Sequence, residues 1–319
     1  MIKYFEKELF LINEALERSL GSEVPLVREI GRYSVLAAGK RLRPLLFILS
    51  SRTSGRECED IYSYSAVFEI IHAASLIHDD ILDNADFRRK KPAVGRVWGN
   101  HAAVLGGDFL YARAVDIAIR SRSFPFVEVL SRTTTRMTEG QFLESAHTDD
   151  WSTTREEYLE IVTAKTAVLI SAACACGGIL AEAGREQVDE LARFGLNLGI
   201  AFQLIDDLLD YTSTLDVFGK PVGKDLREGK VTLPLIQTLS TMDRDRVLEL
   251  EARFKKGAAS EADYDLLVKK VRESKGLEEV REEARNYAAQ AAGILKGLPA
   301  SRAREDLLYI NDYLLMRNF

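Results

Sequence analysis

The sequence predicts an all-α protein, a single-domain helical bundle around a central cavity, and three observations carry that prediction. Apolar residues recur at helical spacing through long Ala/Leu-rich runs, such as Val188 to Ile200 and Tyr287 to Leu295. Alternating apolar and polar stretches of the kind a half-buried strand needs are scarce. Hydrophobic residues make up 46% of the chain and prolines number only seven, so helices run uninterrupted and can bury a sizeable core. A length of 319 residues would allow two domains. No Pro/Gly/Ser-rich linker, low-complexity tract or short-period repeat divides it, so residues 1–319 are expected to form one domain.

Taken in chain order, Met1 to Glu8 is amphipathic and of mixed charge rather than a basic stretch leading into an apolar core, so no signal peptide is expected. Gly39-Lys40-Arg41-Leu42-Arg43-Pro44 then sets three cations immediately before an apolar helix. The buried-type run Ala73 to Ile77 ends in His78-Asp79-Asp80-Ile81-Leu82-Asp83, and a basic cluster, Arg88-Arg89-Lys90-Lys91-Pro92, follows closely. Around Gly99 to Asp108 the helical pattern is apolar on more than one side, which points to a face buried against another subunit. Cys58, Cys174 and Cys176 form an odd count without metal-ligand spacing and read as packing thiols in a reducing compartment. A second buried-type run, Gly199 to Ile205, ends in Asp206-Asp207-Leu208-Leu209-Asp210. No stretch reaches about eighteen uncharged apolar residues, so no membrane span is expected. The net charge of −6 lacks the basic surplus of a nucleic-acid binder. A soluble cytoplasmic protein is the expectation.

The two acidic blocks carry the chemistry. Within each, the carboxylates at i and i+4 share a helix face one turn apart. An acidic cluster on its own is usually solvated surface, but each of these ends an apolar run, where like charges repel unless a cation is bound. Oxygen-only ligands suit a hard cation, and Mg²⁺ commonly bridges protein carboxylates to a substrate's phosphate oxygens. Two such faces opposed across a cavity would make that kind of site, so Asp79, Asp80, Asp83, Asp206, Asp207 and Asp210 are the candidate metal residues. Arg recognises diphosphate oxygens through a planar fork and Lys through a mobile point charge. Two separate basic clusters therefore suggest two diphosphates bound together.

These motifs stand in a familiar order together with Gly107-Asp108-Phe109-Leu110-Tyr111-Ala112-Arg113, Lys165-Thr166, Phe202-Gln203, Gly219-Lys220 and Gly229-Lys230. Over about residues 39 to 236 the chain resembles the trans-prenyltransferases, or polyprenyl diphosphate synthases, of the class I isoprenoid synthase superfamily. The C-terminal third agrees only in helical character. The resemblance implies the helical bundle of the class I isoprenoid synthase type, and three Mg²⁺ ions per site. Asp79, Asp83 and Asp206 would be their ligands, with Asp80, Asp207 and Asp210 as near or water-mediated partners. It implies that Arg88, Lys165, Thr166, Gln203, Lys220 and Lys230 contact the allylic diphosphate. Lys40, Arg43, His72 and Arg89 match the isopentenyl diphosphate pocket. One departure is visible: Lys90 stands where the family usually has Gly after the arginine pair. The end, Leu314 to Phe319, lacks the basic tail some relatives carry, so no site is assigned there.

The reaction so implied is a 1′-4 head-to-tail condensation of isopentenyl diphosphate with an allylic prenyl diphosphate, with Lys165, Thr166 and Gln203 as catalytic residues that steady an allylic cation. Residues before Asp79 lie deeper along their helix by about 1.5 Å each. Ser75 and Ala74 stand four and five positions back, where short-chain relatives carry Phe or Tyr, and neither blocks a growing tail. Ile71 and Phe68 lie roughly 12 and 16 Å below Asp79, candidates to narrow the tunnel of a synthase whose products reach about C35 to C45, the octaprenyl type. Phe124 or Phe126 is a further candidate floor. A geranylgeranyl product is the next reading. A class I terpene cyclase is disfavoured by the second Asp block, and a non-catalytic subunit by the intactness of both blocks. The family is typically homodimeric, and transient membrane contact would release an insoluble product.

Overall fold

The protein is described by a computed structural model covering residues 1–319 apart from residues 2, 38, 57, 59, 89, 90, 213–221 and 317–319. As predicted, it is all-α. The helices in order are α1 (Glu6–Ser19), α2 (Pro25–Val35), α3 (Leu42–Thr53), α4 (Ile61–Leu82), α5 (Val94–Trp98), α6 (Asn100–Arg120), α7 (Phe124–Ala146), α8 (Arg155–Val162), α9 (Val168–Leu180) and α10 (Arg185–Thr212). They continue as α11 (Lys224–Arg227), α12 (Leu233–Leu239), α13 (Arg244–Lys255), α14 (Glu261–Glu273), α15 (Gly276–Gly297) and α16 (Arg302–Leu315). Two features lie outside the helical reading of the sequence. A two-stranded antiparallel ribbon pairs β1 (Phe87–Arg88) with β2 (Lys91–Pro92), too short to give an alternating pattern. A π-helical turn, Thr163–Ala167, joins α8 to α9.

The chain folds into two compact units, each assembled from separate stretches of sequence. The first comprises Met1–Arg132, Leu169–Ala192 and Leu295–Ile310. Its centre is α4, which packs on α1, α3 and α6. That helix is apolar nearly all round, as a helix surrounded by others must be: Val67, Phe68, Ile70, Ile71 and Ala74 are all fully buried. The rings of Phe47, Phe68 and Phe126 pack together with centroids 5.5 to 6.2 Å apart, and Tyr64 meets Phe126 edge-on at 6.3 Å. Of the two candidate floors, then, Phe126 is buried in this cluster, while Phe124 is 76% exposed. Cys174 and Cys176 are buried and Cys58 is half-buried.

The second unit comprises Thr133–Val168, Arg193–Ile294 and Asn311–Phe319. Its core gathers Trp151, Tyr158, Leu204, Leu208, Tyr211, Leu235 and Phe254. α8 begins with a full capping box: Thr154 Oγ1 accepts from the Glu157 amide while Glu157 accepts from the Thr154 amide. The π-turn that follows is gripped by two glycines. A Cβ on Gly140 would come within 2.8 Å of Ala164 Cβ and the Lys165 amide nitrogen, and one on Gly199 within 2.6 Å of Ala167 Cα. Only glycine lets α7 and α10 approach the turn so closely.

Among the described residues, one helical run, Arg155–Leu180, is long and apolar enough to cross a membrane. In its most apolar window 56% of residues are buried inside the protein, the signature of a core helix.

Candidate active site

In the first unit, the C-terminal turns of α4 carry the first acidic block. Asp79 and Asp80 are in the helix, and Asp83 caps it, its amide donating to Asp79 O at 2.8 Å. Asp79 and Asp83 are half-buried, whereas Asp80 is buried. Asp80 turns away to the ribbon: its Oδ1 accepts from Arg88 Nε at 2.8 Å and from the guanidinium's NH2 as well. Two of the predicted site residues are thus brought together as a charge-assisted pair. Asp79 also burdens a neighbour: burial, with the Asp79 charge added, pushes the Tyr111 phenol up to about 12.

His72 lies on the same helix, half-buried, and lines a cavity with Tyr33, Glu69, Asp80, Arg88 and Lys91. Lys40 and Arg43 are also half-buried and flank Arg41, whose own side chain is buried. Arg89 and the unusual Lys90 lie outside the described residues, as does Lys220.

In the second unit, the second block sits in the C-terminal half of α10. Asp206 and Asp210 are half-buried and Asp207 is buried. A hydrogen-bonded chain runs through it. Tyr158 OH donates to Asp207 Oδ2 at 2.6 Å, Gln203 Nε2 to Asp207 Oδ1 at 2.8 Å, and Thr166 Oγ1 to Gln203 Oε1 at 3.1 Å. Thr166 and Lys165 both sit in the π-turn, a local widening of the helix that is common at functional sites. Three predicted site residues, Thr166, Gln203 and Asp207, are therefore one network, joined by a Tyr that no sequence motif singled out.

Asp210 accepts from the amides of Lys224 and Asp225, each at 3.1 Å. Burial and the Asp225 charge still push its carboxyl up to about 7. The same two causes hold Asp207 well above the ordinary carboxylate range, and burial raises Asp225 as well. Asp225, whose amide donates to Asp210, is a neighbour of the block that the motifs did not mark: the lysines dominate the pattern of Gly219 to Lys230, and the signal was two acids, Asp225 and Glu228, standing among them. Lys165 forms an ion pair with Glu144, and Lys230 one with Glu228 at 2.7 Å. Glu228 also pairs with Lys224.

The donor set fits a hard divalent cation. Asp207 accepts from two neutral donors, and burial together with the charge of Asp225 raises both its carboxyl and that of Asp210, a clustering of acids that a cation would relieve. Among the described residues no three Asp, Glu, His or Cys side chains form a ready-made cage.

A helical scaffold carrying two Asp blocks, each among Lys and Arg side chains suited to phosphate, defines a diphosphate-handling transferase of the isoprenoid synthase type. Comparison with known proteins agrees: the polyprenyl synthetase family model matches residues 24–271. Octaprenyl diphosphate synthase of Escherichia coli (strain K12) is 35% identical over 307 residues, 96% of this chain and 95% of its own. Geranylgeranyl diphosphate synthase of Methanosarcina mazei is 36% identical over 293 residues, 90% of this chain and 89% of its own. The crystal structure of polyprenyl synthase from Caulobacter crescentus CB15, complexed with calcium and isoprenyl diphosphate, superposes with a TM-score of 0.93 at 34% identity, covering 100% of this chain and 97% of that one. The chain belongs to the polyprenyl synthetase family and is a polyprenyl diphosphate synthase, an enzyme that transfers prenyl groups.

Proposed function

We propose that this trans-prenyltransferase adds isopentenyl diphosphate repeatedly to an allylic prenyl diphosphate and ends at a long-chain product of the octaprenyl type. The observation that carries the length is the depth of the aromatic cluster. Between Asp79 and Phe68 the helix rises roughly 16 Å, and near its top stand only the methyl of Ala74 and the hydroxyl of Ser75, the latter tied back to His72 O at 2.9 Å. Below them Ile71 is fully buried and Phe68 stacks with Phe47 and Phe126. A tail would therefore meet its first large obstacle at that cluster.

Asp79, Asp83 and Asp206 would hold Mg²⁺, with Asp80, Asp207 and Asp210 supporting them. Bound there, the metal supplies Lewis-acid stabilisation of the leaving diphosphate. Arg88, Lys165, Lys220 and Lys230 grip the allylic diphosphate, and Lys40, Arg43, His72 and Arg89 the isopentenyl diphosphate. The C1–O bond of the allylic substrate breaks, with its electron pair leaving on diphosphate. The dipoles of Thr166, Gln203 and the widened π-turn face developing positive charge without offering a nucleophile. The isopentenyl double bond then supplies the pair that joins its C4 to that C1, and the C2 proton passes to an oxygen of the departed diphosphate.

The enzyme works in this reading as a cytoplasmic homodimer. Val104, Leu105, Val115 and Ile119 of α6 are 41 to 57% exposed, a row of apolar side chains suited to a second copy. It touches a membrane only to release product, and it uses no nucleic acid. The name of the M. mazei relative favours geranylgeranyl diphosphate as the second reading.

Product length tests both. With purified protein, Mg²⁺, labelled isopentenyl diphosphate and farnesyl diphosphate as primer, the expected ladder ends near octaprenyl, and Phe126→Ala extends it. A stop at geranylgeranyl overturns the long-chain reading. Absence of any elongation returns the choice to a cyclase or a subunit that needs a partner.

A further inference from the structure

Arg41 is the one cation of the Gly39 to Pro44 cluster to which the reaction assigns nothing, and its environment is unlike that of its neighbours. Lys40 and Arg43 are half-buried, but Arg41 is only 5% exposed. Its backbone is left-handed, φ 51°, at the N-cap of α3. An arginine has no preference for that conformation, so other contacts must hold it. Those contacts come from three directions. The guanidinium donates to Glu69 Oε1 at 2.9 Å, to Asn13 Oδ1 at 2.9 Å and to Ala37 O at 3.0 Å.

Glu69 is itself buried, 5% exposed, in an otherwise apolar stretch of α4. A buried ion pair contributes little net stability over apolar residues of the same volume, so its presence asks for another explanation. Its placement gives one. Glu69 stands one turn before His72 on α4, and both line the same cavity. Arg41 stands between Lys40 and Arg43. The pair therefore ties the loop bearing two phosphate-binding cations to the helix bearing the imidazole, all within the first unit.

We propose that Arg41 is a positioning residue, which through Glu69 and Asn13 locks Lys40 and Arg43 in register with His72 and so sets the affinity for isopentenyl diphosphate. This rests on the proposed assignment of those three residues to that substrate. The left-handed backbone at Arg41 turns the chain so that its own side chain goes inward, and the side-chain fork compensates for the strain of doing so.

The test separates the tether from the backbone. In a double variant, Arg41→Gly with Glu69→Met, glycine accepts φ 51° freely and no unpaired charge stays buried. KM for isopentenyl diphosphate is expected to rise about tenfold, and KM for the allylic primer to stay within about twofold. Arg41→Lys keeps a charge on Glu69 but cannot reach three acceptors with one fork. It should fall between, and it serves if the double variant is poorly folded. An unchanged isopentenyl KM in both variants overturns the proposal. So does a parallel rise in both KM values that tracks the melting temperature, since that is what a purely structural pair would give. If the unmodified enzyme fails to consume isopentenyl diphosphate, the proposed function itself falls, and the inference with it, on a different result.

Discussion

The two acidic blocks share one five-residue pattern, yet the protein balances their buried members in opposite ways. Asp80 receives a full positive charge from Arg88 through two N–H donors. Asp207 receives a phenol and an amide, both neutral, and has Asp206 and Asp225 as charged neighbours. The first block therefore arrives with part of its charge cancelled by the chain. In the second, burial and the charge of Asp225 raise the carboxyls of Asp207 and Asp210 above the ordinary range. Identical spacing gives the same helix face twice, but how far the charge of the middle residue is cancelled is set by what packs beside it.

The largest effect should come from the half-buried carboxylates, Asp79 first among them. Asp79→Asn is expected to reduce turnover by about a thousandfold, the scale of losing one electrostatic contact to the transition state. The far-ultraviolet circular dichroism should stay native, because relieving carboxylate repulsion does not destabilise a bundle. A variant that lost helicity along with activity would falsify this division between catalysis and fold.

Tyr158→Phe addresses the uncancelled block. It removes a donor from a buried carboxyl, at a cost of about 1–3 kcal/mol in stability, and should raise the Mg²⁺ concentration that gives half-maximal activity. A metal titration unchanged from wild type would mean Asp207 has no bearing on the cation.

The blocks should also differ in their response to pH. In the unfolded chain Asp210 ionises near the usual carboxylate value of about 4, whereas in the folded protein it does so at about 7. The unfolded state thus binds fewer protons across that interval, and stability declines as pH rises through it. In chelator, the melting temperature should be higher at pH 5 than at pH 8. Added Mg²⁺ should narrow the gap, being worth most at the higher pH. A flat profile in chelator contradicts the contrast between the blocks.

The smallest change is expected at the already balanced pair. Arg88→Lys keeps the charge on Asp80 but loses the fork, costing roughly 1–2 kcal/mol. Its stability loss should be the same with and without Mg²⁺, unlike that of Tyr158→Phe.

Helical periodicity and the two blocks were legible because both are local: apolar spacing within a turn or two decides a helix, and i, i+4 carboxylates announce a face. What the sequence hid is relational. Tyr158 and Asp207 are 49 positions apart, and Arg41 and Glu69 are 28 apart, so nothing near either residue advertises its partner. The π-turn at Lys165 is invisible to a 3.6-residue pattern because it inserts one widening into an otherwise regular run. The glycines that grip it, Gly140 and Gly199, read as ordinary helix glycines until their close neighbours are known. The ribbon at Phe87 to Pro92 is two residues a side, below any strand periodicity. Phe124 and Phe126 differ by two positions and lie on opposite sides of one helix's start, a distinction only packing makes.

Two lysines of the second unit carry resident anions: Glu144 on Lys165, Glu228 on Lys230. If these lysines take the allylic diphosphate as proposed, each carboxylate is a placeholder that an incoming phosphate group must displace, so binding there would be an exchange of partners rather than a capture of bare charge. Exchange discriminates by valence. A singly or doubly charged anion gains little over the glutamate it evicts, while a metal-bridged diphosphate gains at several points together. Lysines so paired would thereby be insulated from inorganic phosphate and sulfate, and long-range attraction to them is weakened by the same internal counter-ions.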